Sequence, residues 1–138
     1  MSEYKRVFVY FNLHKKLWSV KSLTGDGTYG RVIAHRRTLT LTDATPKVSE
    51  KGRQRVLQER KKNVHAGVVG NWYPDGPEVE LPTPNRRQYL GDAYYNPYVV
   101  DKFKLGNDDW EGSDYVVLTA DQGRKVMCYE YKERDQDG

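Results

Sequence analysis

The sequence predicts an α+β, mainly β domain, an antiparallel curled sheet or two-layer sandwich crossed by one basic helix at about 49–63. Three observations predict it. Short runs with period-two alternation recur along most of the 138 residues, and turns rich in Gly, Pro and Asn separate them. Only the stretch near 49–63 carries helical start and stop signals, and it also holds most of the net charge. The chain reads as a single domain over 1–131, followed by a polar tail at 132–138.

Residues 6–12 set Val7, Val9 and Phe11 against Phe8 and Tyr10, the pattern of a strand covered on both faces. After a polar break at 13–16, residues 17–23 resume extended patterning, so the two runs read as a hairpin. The loop at 24–30 spells G-x-G-x-x-G. A dinucleotide fingerprint needs a helix opening directly after those glycines, and the β-rich RVIAHRR follows instead, so they are read as positive-φ turn residues. Residues 31–35 form a third strand. Leu39 and Leu41 alternate with Thr38, Thr40 and Thr42, as in a strand with one wet face. Residues 43–46 break that pattern.

From 47 to 62 there are seven Lys/Arg against Glu50 and Glu59, a local charge of +5, and the rest of the chain has 16 basic and 17 acidic residues. Ser49 is a good N-cap, Glu50 suits the positive end of the helix dipole, and Asn63 and Gly67 are stop residues. On a wheel of about 100° per residue, Arg60, Val64 and Leu57 fall within about 40° of Arg53, and Val56 within about 60°. Arg55 and Lys62 fall on the opposite side. Two arginines thus sit within the apolar stripe. Either their alkyl stems run along the core edge, or their planar guanidinium groups line a pocket for phosphate.

In the second half, 66–72 reads as a strand, 73–77 as a turn, and 81–87 as a surface loop because Pro82 and Pro84 remove ladder donors. A tyrosine-rich loop around Asn96, an acidic loop at 106–113 and a terminal hairpin of 115–119 with 125–131 follow. Tyr94, Tyr95 and Tyr98 flank Asn96, with Tyr89, Arg86 and Arg87 upstream. Rings stack on bases, an amide pairs with a base edge and arginine neutralises phosphate, so these are the parts of a nucleotide site. They are also common turn and core-edge residues. Asn63 and His65 at the helix end add polar groups. No catalytic motif stands out around the three dispersed histidines, and binding is expected rather than catalysis. The lone Cys128 forms no internal disulfide and reads as a small buried hydrophobe; no metal and no cofactor are expected. No apolar run is long enough to cross a bilayer and no signal peptide is read, so no membrane partner and an intracellular location are expected.

The segments RVFVYFNLHKKLWSV, GRVIAH, KVSEKGRQRVLQERKKNVHAG, YNPYVVDKF and SDYVVL resemble a small protein family encoded widely by tailed bacteriophages. The resemblance spans most of the chain, and 47–67 is its most specific part. It extends to the phage Thoeris anti-defence sponges, which sequester cyclic ADP-ribose-type immune signals without cleaving them. It implies a viral protein acting in the host cell cytoplasm. The wheel and the aromatic loop supply the expected ligand-binding residues: Arg53, Arg60, Asn63, His65, Arg86, Arg87, Tyr95, Asn96 and Tyr98. Three functions stay open: capture of a small anionic nucleotide, binding of nucleic acid, and masking of a host defence protein by contact, for which the acidic stretch at 108–111 is a candidate. A homo-oligomer is expected under each, because short strands leave edges to pair.

Overall fold

The computed structural model describes residues 4–25, 27–59, 66–74, 87–96, 98–121 and 125–131. Among these residues the first half holds β1 (Lys5–Asn12), β2 (Leu17–Ser22), β3 (Val32–Arg36), β4 (Thr38–Val48), α1 (Glu50–Glu59) and β5 (Ala66–Trp72). The second half holds β6 (Arg87–Tyr94), β7 (Lys104–Leu105), β8 (Asp108–Asp109), β9 (Ser113–Thr119) and β10 (Lys125–Tyr131). The strands make one antiparallel sheet in the order β3-β2-β1-β5-β4-β9-β10-β6-β7-β8. The fold is therefore α+β and mainly β, and of the two arrangements open from the sequence it is the single curled sheet.

The curl centres on β4. Its first half pairs with β9, Leu39 opposite Leu118 and Leu41 opposite Val116. Its second half pairs with β5, Pro46 opposite Val68 and Val48 opposite Ala66. The sequence pattern suggests a break at 43–46, and the structure corrects it: the strand continues through a register shift between Thr42 and Thr45, with Asp43 at φ 49°. A bulge of this kind bends a strand without ending it. Beyond Ala44 the β9 side carries no further pairing, so Pro46 sits where a strand tolerates a missing N–H.

Curling brings one face of every long strand inward. Val7, Val9, Val20, Leu41, Val68, Val116, Leu118 and Cys128 are fully buried in one cluster. The thiol of Cys128 is pushed up to about 11 by that burial, the behaviour of a small hydrophobe. Predicted hairpins β1–β2 and β9–β10 are present, and Gly27 and Gly30 take positive φ in the turn before β3.

A second correction concerns Arg87, read from sequence as the end of the surface loop 81–87 and found as the first residue of β6. Gly91 adopts φ 126°, and the ladder with β10 shifts between Cys128 and Tyr129, leaving Leu90 as the extra residue. The glycine accommodates the irregularity. Part of the expected acidic loop is likewise ordered as β7 and β8, paired Lys104 to Asp109 and Leu105 to Asp108 around a turn with Gly106 at φ 66°.

Helix α1 starts as its sequence dictates. Ser49 Oγ accepts the N–H of Gly52 at 3.1 Å, and Glu50 accepts from the Gln54 side chain at 3.1 Å. The expected end, 60–63, lies outside the described residues. Ten described residues are too few for a stable isolated helix, and Val56, 5% exposed, is its one buried residue among them.

Candidate functional site

Two places gather the residues that could hold an anion. The first is the foot of α1. Arg53, one turn before Val56, lies along the docking face with its side chain only 17% exposed, and its guanidinium sits 3.5 Å from Glu50. It is also within hydrogen-bonding reach of the Tyr95 hydroxyl. Burial raises the Tyr95 pKa, and Arg53 opposes that rise. The Tyr95 ring stacks on Phe103 at 5.2 Å, and Phe103 meets Trp110 edge-on at 5.7 Å. Phe103 and Trp110 are core residues, and Trp110 Nε1 donates to Ser113 Oγ at 2.9 Å. The fold thus brings Arg53 and Tyr95 together, in contacts that seat the helix.

The cleft beside this ladder has a volume of about 270 Å³ and opens between Pro46 and Val48 of β4 and the 101–111 segment. Its charged lining is Asp101, Asp109 and Glu111 against Lys102. An anion would meet three carboxylates there, so the cleft does not suit phosphate. Asp109 is held by Lys104 and Lys102, and Lys104 draws its carboxyl below the usual range. Trp110, in the middle of the acidic stretch, is buried. The polar groups of Asn96 are also engaged: its Oδ1 accepts the Tyr98 N–H at 3.0 Å and its carbonyl accepts from Val99 and Val100. Asn96 is a turn-former here. Tyr98 is 59% exposed.

The second place is the sheet face turned away from the core cluster, on which Thr42 and Tyr115 are themselves buried, at 7% and 2% exposure. Cross-strand pairs put Arg6 opposite Asn71, Asn71 opposite Thr42, and Thr42 opposite Tyr115. The same row continues from Tyr115 to Tyr129 and from Tyr129 to Tyr89. The irregularity at Leu90 is decisive, because an uninterrupted register would set Leu90, not Tyr89, against Tyr129. It also sets Arg87 opposite Tyr131. The rings contact one another, Tyr89 with Tyr129 at 5.2 Å and Tyr115 with Tyr129 at 5.8 Å.

Over these rings lies Arg87. Its guanidinium carbon is 4.1 Å from the Tyr115 ring centre and 5.7 Å from that of Tyr129. Among the described residues Arg87 forms no ion pair, and its Nε is buried with no hydrogen-bond partner. The rings hold the planar cation flat and supply no counter-charge. Tyr89, 52% exposed, gives its hydroxyl to Asp92 at 2.6 Å, and that bond raises its pKa to about 12. Tyr131, 39% exposed, is also raised to about 12, by partial burial first and then by Asp114 and Asp43.

Of the expected ligand residues, Arg53, Arg87, Tyr95, Asn96 and Tyr98 are described; Arg60, Asn63, His65 and Arg86 lie outside the described residues. Arg87 stands with Tyr89, Tyr115, Tyr129 and Tyr131, three of which sequence reading did not single out. The signal was available in the terminal hairpin, whose register pairs Tyr115 with Tyr129. His35 Nδ1 is 2.9 Å from Ser19 Oγ, but Ser19 is fully buried and cannot act as a nucleophile. No group of three or more metal-binding side chains occurs among the described residues.

A family model described as Mycobacterium phage L5 gene 82 protein matches residues 1–127. One relative, the Gene 82 protein of Mycobacterium phage L5, is 39% identical over 123 residues, covering 83% of this chain and 90% of that protein. No solved structure matches. The matched span takes in Arg87, Tyr89 and Tyr115 and stops short of Tyr129 and Tyr131.

Proposed function

This chain belongs to the bacteriophage family of the Mycobacterium phage L5 gene 82 protein, and from that premise we propose that it is an anti-defence binding protein, one that captures a small anionic nucleotide in the infected host cell and holds it uncleaved. The observation that carries the reading is Arg87, a partly buried cation laid on Tyr115 and Tyr129 with no carboxylate paired to it among the described residues. Its donors serve a phosphate, and the exposed rings of Tyr89 and Tyr131 beside it offer stacking surfaces to a base. Sequestration without cleavage needs only this: no nucleophile, general base or metal is required to hold a ligand. The choice of an immune nucleotide as ligand, and with it a kinship to the Thoeris sponges, is part of the proposal.

The test is native mass spectrometry of the protein incubated with cyclic nucleotides and ADP-ribose isomers, with the bound ligand then released and weighed. Retention of one ligand at unchanged mass is expected. Release of a cleaved product, or retention of none, contradicts the reading. The same spectra give the subunit count; pairing through the edge strands β3 and β8 would supply the proposed homo-oligomer.

A second reading, nucleic-acid binding, is favoured by the length of the row, which runs across six strands from Arg6 to Tyr89. Its affinity would fall steeply with salt, and a flat salt response removes it.

A further inference from the structure

We infer that the ligand of the outer face carries at least two bases joined through phosphate, an oligonucleotide, linear or cyclic, rather than a mononucleotide. The inference rests on the reading of Arg87 as a phosphate anchor and adds a second aromatic subsite, the pair Tyr4 and Tyr73.

The ladder between β1 and β5 sets Lys5 opposite Trp72, so Tyr4 and Tyr73 come together one position further out. Their ring centres are 5.6 Å apart at 49°. They lie two residues beyond Arg6 and Asn71, and the period of two puts them on the same face as the row from Arg6 to Tyr89. Tyr4 is 55% exposed. Tyr73 lies within electrostatic range of Tyr131, which puts the two ring groups on the same side of the molecule.

A second cation, Arg6, stands two residues from Tyr4 on the same face. Arg6 donates to Asn71 Oδ1 at 2.9 Å and to the Asp43 carbonyl at 3.3 Å, and the Asn71 amide in turn donates to the Asp43 carboxylate at 3.4 Å, so Arg6 has a carboxylate nearby but no ion pair with it among the described residues. The carboxylates of Asp43 and Asp114 flank Tyr131 and disfavour phosphate directly over that ring. Phosphate is steered instead to the two arginines. A mononucleotide occupies one ring group and one arginine; two linked bases occupy both.

The experiment is calorimetric titration of the full chain with AMP, a linear diadenylate and a cyclic diadenylate, repeated with Tyr4→Ala. Tyr4 is too exposed for its loss to threaten the fold. At least one dinucleotide should bind about fivefold or more tightly than AMP, the lower end of what a second stacked base contributes. Tyr4→Ala should abolish the advantage and leave AMP affinity within about twofold. The linear and cyclic arms decide the source of the shared chemistry. Equal affinity for AMP and both dinucleotides, or a Tyr4→Ala loss shared alike by all ligands, overturns the second subsite while leaving nucleotide capture intact. Binding of none of the three overturns the two-base ligand, and the mass-spectrometric panel of cyclic nucleotides and ADP-ribose isomers then decides nucleotide capture separately.

Discussion

At the scale of single residues, two arginines with the same chemistry have different work because their surroundings differ. Arg53 packs against the helix foot, beside Glu50 and the Tyr95 hydroxyl, so Arg53→Ala should lower stability by about 1–2 kcal/mol in denaturant melts and leave nucleotide affinity unchanged. Arg87 is held by aromatic faces and is the one to which the proposed function gives the anion. The tyrosines around it make a pH prediction. Tyr89 and Tyr131 have folded-state pKa values of about 12, above the ordinary 10, so the neutral phenol is favoured by folding. The stabilisation is full below pH 10 and is lost as pH rises from about 10 through about 12. Absorbance titration of the native protein should show phenol ionisation delayed past that of the unfolded chain, and stability should decline across the same window.

At the scale of elements, the irregularities matter as much as the regular pairing. Gly91 at φ 126° lets β6 carry its extra residue, which turns Tyr89 and Arg87 toward the tyrosine row. Gly91→Ala places a side chain at a positive φ with a Cβ 3.3 Å from Leu105, and should destabilise the protein by about 1 kcal/mol or more while weakening ligand binding. Heteronuclear NMR would locate the perturbation at β6 and β10. For the helix, Ser49→Ala removes the bond to the Gly52 N–H and should cost about 1 kcal/mol, read as a lower melting temperature. The regular hairpins and the capped helix start were legible because alternation and capping are local. Strand β6 and the continuation of β4 were not, since Gly91, Asp43 and Pro46 carry the usual signs of a break and only the partners across the ladder show that the strand goes on.

At the scale of the whole molecule, the curled sheet separates two roles that sequence reading had joined. Its inner face builds the core. On its outer face, side chains far apart in sequence, Arg6, Tyr115 and Tyr89 among them, fall into one row by register alone. Fold class and the inward face of the helix could be read from periodicity, but this row could not, because it depends on β4 lying between β5 and β9 and on a one-residue shift in β6. Arg87 was legible as a basic residue near tyrosines; the rings it rests on were not, because they come from the other end of the chain. The account therefore turns on Arg87, and the direct measurement is calorimetry of the wild type and Arg87→Ala against the nucleotide panel. Saturable binding by the wild type, weakened about tenfold or more in an Arg87→Ala protein that melts within about 1 kcal/mol of it, is the result expected from losing a charged hydrogen-bonding group. Unchanged affinity in Arg87→Ala, or no heat from the wild type with any nucleotide, would contradict it.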